Sequence, residues 1–418
     1  MVKYLKNPVI LSSLILAFLF YSGLAKIREQ KPFLSLAKES EITGLRGFIS
    51  SNPVKSSFLG SAYKVTFTAE KAFTKDGAFS ASGNVCLYFP PEIVEAYYPG
   101  KIYTSIPEME GGAFLVENGS RLFLELERVS KAGGAFFLVK SGKALGWRGS
   151  SLLQGFYKFR ALSRLQFKRL MYAWGKAGGL LLALLSGSRE YTEKSVADGF
   201  RDSGLSHILA LSGMHLGLFG SIAGFFGKKA RGRNLGDALQ LAAILFFVWF
   251  AGISPSLFRA FLAALILYLN SLFRMNRPDG LSLLSLCFLL HSVIFPSHIM
   301  EAAFMLSYTS LAGIIIFGKI FRKVYPVFLP YRIRLAISDS SSAQLATAPV
   351  SLRIFGKIMP QGIIAGLFVS PLVFLFLYFG LFGVIICLFL PFLSGPISAI
   401  MNGLYLVISR LVLFFRFK

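Results

Sequence analysis

Histidine, cysteine and acid are the scarce residues in this sequence. Four histidines, three cysteines and twenty Asp plus Glu are spread over 418 residues. Cys86, Cys287 and Cys387 lie far apart, two of them within apolar runs, so no disulfide framework and no Cys-x-x-Cys site can be assembled from them. The histidines are His207, His215, His291 and His298, and no His-x-His-x-Asp-His cluster is present. A two-metal hydrolytic centre of that kind is therefore excluded in this polypeptide. No metal, cofactor or catalytic group is expected.

Apolar residues and cations are what is abundant. The sequence is 54% hydrophobic with a mean hydropathy of +0.62, which is the composition of a membrane protein. Several runs reach the ~20 residues that a spanning helix needs. The formal net charge is +24, and it is unevenly placed. Residues 1–39 carry net +4, residues 40–150 net +2, and residues 151–418 net +18. Basic loops between spans and contact with anionic lipid account for such a pattern. An anionic substrate such as nucleic acid accounts for it too.

The chain divides by composition. Residues 1–39 open with Lys3 and Lys6 and an apolar run, and are expected to form a signal-anchor helix over about 8–25, followed by a linker. Residues 40–149 change to short β-type runs: "AYKVTFTAEKAF", "SGNVCLYF", "GKIYTSIPEM", "AFLVENG", "RLFLELERV" and "AFFLVK". Turn signals such as "TKDG" and "ENGS" separate them. One small all-β domain is expected. Residues 150–190 begin with a stretch in which Phe156, Phe159, Leu162, Leu165 and Leu170 share much of one helix side. Lys158, Arg160, Arg164, Lys168 and Arg169 supply the rest. The pattern predicts an amphipathic helix lying at the membrane surface. The apolar "AGGLLLALLSGS" after it is too short to span and is read as a re-entrant piece.

Residues 191–418 read as a polytopic helical domain, with spans near 205–227, 236–253, 256–273, 281–298, 300–318, 361–379, 380–394 and 396–414 and a shorter polar segment at 342–357. With the anchor this makes roughly eight to ten spans. Basic residues cluster at Lys228, Lys229, Arg231 and Arg233, again at Arg274 and Arg277, and again at Lys319, Arg322, Lys323, Arg332 and Arg334. Each cluster follows the previous one by two spans, which assigns these loops and the N-terminus to the cytoplasm and the β domain to the other side.

The stretch from Ser203 to Lys229 combines two patterns. Ser206, Ala210, Gly213, Gly217, Gly220, Gly224 and Gly227 recur at alternating intervals of four and three, a small-residue seam for close helix packing. At ~100° per residue, His215 points almost opposite to that seam, with His207 and Ser212 to either side. Ionisable side chains within a membrane are costly unless they face protein or water. The polar side thus suggests a cavity or pore. A Ser212–His215 nucleophilic pair is a competing reading. Arg259, four residues into its span, and Gln344 and Thr347, at membrane depth, extend the set of polar pathway candidates.

The stretch "DSGLSHILALSGMHLGL" closely resembles the signature of the ComEC family of competence DNA channels. The resemblance continues through "AGISPSLFRAFLAALI", "NRPDGLSLLSL", "EAAFMLSYTSLAG" and "SSSAQLATAPVSLRIFG". Residues 40–148 resemble, more weakly, that family's extracytoplasmic OB-fold domain. The family's glutamine in Phe-Gln-Leu-Ser-Phe is replaced here by Met305. The resemblance is to a form without the C-terminal metallo-β-lactamase-like nuclease domain. It implies a channel that passes single-stranded transforming DNA across the bacterial inner membrane, without enzymatic activity. Implied partners are single-stranded DNA, membrane lipids and other competence proteins, among them a separate nuclease and a cytoplasmic DNA motor. Tyr63, Phe67, Tyr88, Phe89, Tyr97, Tyr98 and Tyr103 are candidates for stacking on the strand, although most of these aromatics are expected in the β core or against the membrane. Two other readings stay open: an intramembrane Ser/His hydrolase, and a non-conducting anchor for an uptake apparatus.

Overall fold

The computed structural model describes residues 7–22, 33–35, 41–56, 62–99, 115–131, 134–189, 191–209 and 213–416. After helix α1 (Pro8–Tyr21), the chain forms strands β1 (Leu34–Ser35), β2 (Gly44–Ile49), β3 (Val54–Lys55), β4 (Tyr63–Thr74), β5 (Gly77–Ser82) and β6 (Asn84–Phe89). The short helix α2 (Pro91–Val94) and strands β7 (Ser120–Lys131) and β8 (Gly134–Trp147) follow. Period-two alternation puts Tyr63, Val65 and Phe67 of β4 inside, all fully buried. β4 pairs with both β2 and β6, β2 with β7, and β7 with β8. A parallel pairing of β6 with β8 through Leu87 and Phe137 then closes the ring. The result is a five-stranded OB-like barrel, with β1, β3 and β5 added at its margins. A bulge between Arg46 and Gly47 bends β2. A side chain at Gly47 would collide with the Thr68 carbonyl oxygen, so only glycine fits this crossing. Of the aromatics proposed for stacking, Tyr63, Phe67, Phe89 and Tyr98 are core, Tyr97 packs against it, Tyr88 is half-buried beside Phe136, and Tyr103 lies outside the described residues.

One expected strand is not a strand. In "AFLVENG", the described residues Leu115 to Gly119 form a turn, and the turn carries Glu117 into the interior, where it is 3% exposed. What meets it comes from helix α3 (Ser151–Ala173). The basic side of that helix, expected at the membrane surface, is instead largely buried: Arg160, Arg164, Lys168 and Arg169 are all less than a tenth exposed, while Lys158 stays exposed. Lys168 donates to Glu117 Oε1 at 2.7 Å and to the Tyr98 hydroxyl at 3.1 Å. Arg164 donates to Glu117 Oε2 at 3.2 Å and to Ser188 Oγ at 3.1 Å. Burial alone would raise the Glu117 carboxyl, but Lys168 and Arg164 outweigh it and hold it down to about 2. Burial and the neighbouring Arg164 lower Arg160 to about 10, which leaves it protonated at neutral pH. Leu152, Leu153, Phe156 and Phe159, on the other side of α3, stay exposed, so that side keeps the character of a membrane-surface helix.

Helix α4 (Gly175–Ser186) is 12 residues long and is buried from Ala177 to Ser186. It is wrapped by protein, ends at the left-handed Gly187, and is followed by a segment that returns to bond Gly179 through Thr192 at 3.1 Å. Its neighbours are helices α5 (Lys194–Asp202), α13 (Gly362–Phe389) and α14 (Ser394–Phe414), which share one core with it. The remaining helices are α6 (Ser206–Leu209), α7 (Gly213–Arg231), α8 (Arg233–Ala251), α9 (Pro255–Leu272), α10 (Gly280–Ile294), α11 (Ala302–Val324) and α12 (Tyr331–Phe355). Among the described residues five stretches are long and apolar enough to cross a membrane: 234–251, 255–272, 302–324, 362–389 and 391–414. Shorter apolar helices are α1, α4 and α10. The chain is a multi-pass membrane protein.

The docking of α3 reaches this bundle directly. Arg160 donates to the Trp249 carbonyl at 2.7 Å and Arg164 to the Phe250 carbonyl at 2.8 Å. The last carbonyls of a helix have no partner within it and carry its negative end. Two arginines of α3 thus cap the end of α8, and one ion network joins barrel, α3 and bundle.

Two helix boundaries differ from the sequence expectation. The two spans read at 361–379 and 380–394 are one 28-residue helix, α13. Gly380 and Gly383, near the expected junction, are packing positions: a Cβ at Gly380 would lie 2.6 Å from Leu181, and one at Gly383 would lie 3.1 Å from Trp174. The polar segment at 342–357 is the second half of α12, which has 25 residues. Its serines satisfy themselves on the preceding turn, Ser342 Oγ donating to the Ser338 carbonyl at 2.6 Å. α11 covers them, approaching so closely that a Cβ at Gly313 would lie 2.5 Å from Ala346 Cβ. Of the helix expected over 205–227, the described parts are α6 and α7; Ala210, Leu211 and Ser212 between them lie outside the described residues.

The glycine seam of α7 packs at four of the five glycine positions. A Cβ at Gly213 would stand 3.2 Å from Ala260 Cβ of α9. Gly220, Gly224 and Gly227 meet α8, Gly227 so closely that its Cβ would come within 2.8 Å of Gly236 Cα. Gly217 departs from the pattern: it is exposed, and a Cβ there would meet nothing within 4 Å. Gly227→Leu is therefore expected to cost about 1–3 kcal/mol by overpacking. Gly217→Leu should change stability by less than about 0.5 kcal/mol. The yield of monodisperse protein from the membrane fraction compares them; equal losses would contradict this packing.

Candidate functional site

The signature stretch is held by two clusters, one at each end. At its beginning, Gly204 has positive φ of 76° and lies against Met359 and Gly362, the latter at the start of α13. Gln344 of α12 reaches the same point and donates to the Met359 carbonyl at 3.1 Å. Gln361 donates to the Asp202 carbonyl at 3.1 Å. The "AQLA" and "DSG" segments, some 140 residues apart in sequence, are thus neighbours. His207, three residues past Gly204, is exposed. Thr347 lies one turn beyond Gln344, and its hydroxyl bonds the Ala343 carbonyl of its own helix at 2.8 Å.

The second cluster forms around Arg259. The residue enters α9 behind Ser254 and Pro255, whose extended and fixed backbone geometry starts the helix. Its Nη1 donates to the Ser307 carbonyl of α11 at 2.6 Å. The guanidinium lies 6.0 Å from the Tyr308 ring centroid, within the range of a cation–π contact. Its Nη2 would be 3.6 Å from a Cβ at Gly213. Arg259 therefore ties the "SPSLFRA" segment to "FMLSY", and Gly213 of the signature stretch lies against α9 beside it. His215, one turn into α7, is 1% exposed. Ser212 lies outside the described residues.

Of the six polar candidates, the structure brings Gln344 to the start of the signature stretch, with His207 close by in sequence, while Thr347 bonds carbonyls of its own helix. It sets Arg259 and His215 at the other end. Among the described residues, one cavity lies between barrel and bundle and another at the loop joining α9 to α10.

Two histidines without a sequence assignment belong to the Arg259 cluster. His291 is fully buried. Its Nδ1 lies 3.2 Å from the Tyr308 hydroxyl and its Nε2 lies 3.0 Å from His298 Nδ1. Rings of Phe258 and Phe304 meet its faces and edges at centroid distances of 4.9 and 4.8 Å. Glu301 Oε1 is 3.9 Å from His298 Nε2. Among the described residues, no three His, Cys, Asp or Glu side chains are arranged to hold a metal ion. A sequence signal for this pair existed: two histidines seven apart at the end of an apolar run, followed by an acid three residues on. Arg160, Arg164 and Lys168 carried another, since cations at intervals of four form one stripe that needs an acid if it is buried.

Residues 184–417 match the Competence protein family. Over 149 residues the chain is 30% identical to ComE operon protein 3 of Bacillus subtilis (strain 168). That stretch is 35% of this chain and 19% of the relative, so the chain spans about a fifth of that protein's length. No solved structure matches.

Proposed function

The chain belongs to the Competence protein family, and from that membership we propose that it conducts one strand of DNA across the bacterial cytoplasmic membrane. The observation that carries this reading is the convergence of separate polar motifs on one segment. Gln344 meets the beginning of the signature stretch and Arg259 meets it at Gly213, towards its other end. Isolated polar and cationic contacts of this kind suit a path for a polyanion, which must be held and then released; a dense basic lining would trap it. Most cations of the membrane half lie near helix ends, in connecting loops or on α3. His207, Ser212, His215, Arg259, Gln344 and Thr347 are the residues proposed to border the path. No covalent step is assigned to any of them.

The distribution of loop cations supports placing Lys229, Arg274 and Lys323 in the cytoplasm and the barrel outside. The barrel, over residues 40–149, then receives the strand before the bundle of residues 191–418 does. A separate nuclease and a cytoplasmic motor would supply the strand and draw it inward. The deciding experiment follows labelled DNA into the cytoplasm in a strain lacking this chain. We expect DNA bound at the surface to stay there until the chain is restored. Unchanged arrival of DNA in the cytoplasm of the deletion strain would refute conduction.

A further inference from the structure

A groove opens where the barrel meets the helical bundle, and none of the pathway candidates lines it. Its volume is about 550 Å3. Lys55 comes from β3 and Glu95 from the end of α2. Tyr172 closes α3, Lys176 opens α4, and Tyr191 and Thr192 come from the segment that returns beside α4. Barrel and bundle each supply part of the wall, so the groove exists only in the joined chain.

Its aromatic floor is anchored from below. Tyr172 is 45% exposed. Its ring meets that of Tyr191 at 5.4 Å, and Tyr191 meets the buried Tyr98 at 5.4 Å. Tyr98 accepts a hydrogen bond from Lys168, a member of the Glu117 network. The tyrosines are thus set on the most constrained part of the junction. Both carboxylates at the groove already have partners. Glu95 accepts from Tyr63, and Glu193, beside Thr192, pairs with Lys176 at 2.6 Å and accepts from Tyr405. Lys55 lies 5.9 Å from the Tyr63 ring centroid, leaving its ammonium at the groove rim.

An exposed aromatic face beside two ammonium groups matches a nucleobase and its phosphate. Stacking is indifferent to base identity, as an unselective conductor requires. We propose that this groove holds one or two nucleotides of single-stranded DNA at the threshold between barrel and bundle. The proposal rests on the strand-conducting reading and adds the place where the bundle first takes hold of the strand. Lys55 can neutralise one phosphate, and Lys176, already paired with Glu193, at most one more. At about −0.7 in log–log slope per phosphate, binding here falls with salt no more steeply than about −1.5. Adsorption to the many cations of the loops would be far steeper.

The test uses the full chain in phosphatidylcholine nanodiscs and a ten-residue oligothymidylate carrying one photoreactive 5-iododeoxyuridine. We expect crosslinks at Tyr172 or Tyr191 and a salt slope near −1. Tyr172→Phe should keep the crosslink, and Tyr172→Ala should lower it about tenfold, the stacking contribution of one base. Lys55→Gln should weaken binding and flatten the salt slope. Crosslinks confined to the basic loops, a steep slope, or an unchanged yield in Tyr172→Ala would overturn the proposal. So would a co-purifying lipid lost in Tyr172→Ala, which would make the groove a lipid site. Delivery of DNA to the cytoplasm separates the two claims. Groove crosslinks together with normal delivery in the deletion strain would retain the groove and remove the conduction reading. Absent crosslinks with delivery that depends on the chain would do the reverse.

Discussion

Replacing Glu117 with glutamine is expected to destabilise the protein by about 3–5 kcal/mol, because it leaves buried cations without a counter-charge. Arg164 and Lys168 are each 1% exposed and both point at this one carboxylate. Glutamine keeps the shape and removes the charge. Thermal unfolding of the detergent-solubilised protein measures the loss, and limited proteolysis between barrel and bundle locates it. The double substitution Glu117→Met with Lys168→Met should recover part of the loss, since removing both members of a buried pair costs less than removing one. A change under about 1 kcal/mol for Glu117→Gln would mean that the network does not hold the junction. The pH dependence follows from the same carboxylate. Its folded value, about 2, lies below the ordinary 4.5. The stabilisation is therefore complete above about pH 4.5 and is lost as pH falls toward 2. Acidification from pH 7 to 5 should leave the junction intact.

The second large effect is expected at Arg259. Arg259→Ala should reduce DNA delivery to the cytoplasm about tenfold or more, the factor that ~1.4 kcal/mol represents. Membrane abundance should stay within about twofold and binding of DNA at the cell surface should be unchanged. Arg259→Lys distinguishes charge from geometry. Lysine keeps the cation but not the planar fork that donates to Ser307 while lying over Tyr308. Partial recovery by lysine is expected. The alternative role is a staple between α9 and α11, where a charged hydrogen bond contributes about 1.5–3 kcal/mol. Were that its whole role, abundance and delivery would fall together in both variants, and Arg259 would leave the path.

Legibility in the sequence followed the environment of each element. The barrel strands alternate because one face is core and the other solvent, so β4, β6, β7 and β8 could be read directly. The Leu115–Gly119 turn could not, since a buried turn and a short strand both look apolar. The ends of α8, α9 and α14 were visible to within a few residues, whereas α11 runs on through Lys319, Arg322 and Lys323, which were read as loop. α12 was obscured because its polar side is covered by α11, and α13 because glycine marks close packing and chain breaks alike. The reversed orientation of α3 has the same origin. Helical periodicity tells which residues share a side, but the partner of that side is set by a residue elsewhere, here Glu117. In the candidate site, motif order in sequence gave no sign that Gln344 would stand beside Gly204, because that proximity is purely tertiary.

The unbroken α13 has a mechanical consequence. At 1.5 Å per residue its 28 residues extend about 42 Å, against a hydrocarbon thickness of about 30 Å. Such hydrophobic mismatch is relieved by leaning the helix or by thickening the bilayer around it. α13 is not free to lean independently, because Gly380 is pressed on Leu181 and Gly383 on Trp174. Any change in tilt is therefore delivered to α4 and to the end of α3, which carries the tyrosine floor of the junction. The thickness of the surrounding lipid thus acts as a lateral load on the point where barrel and bundle meet.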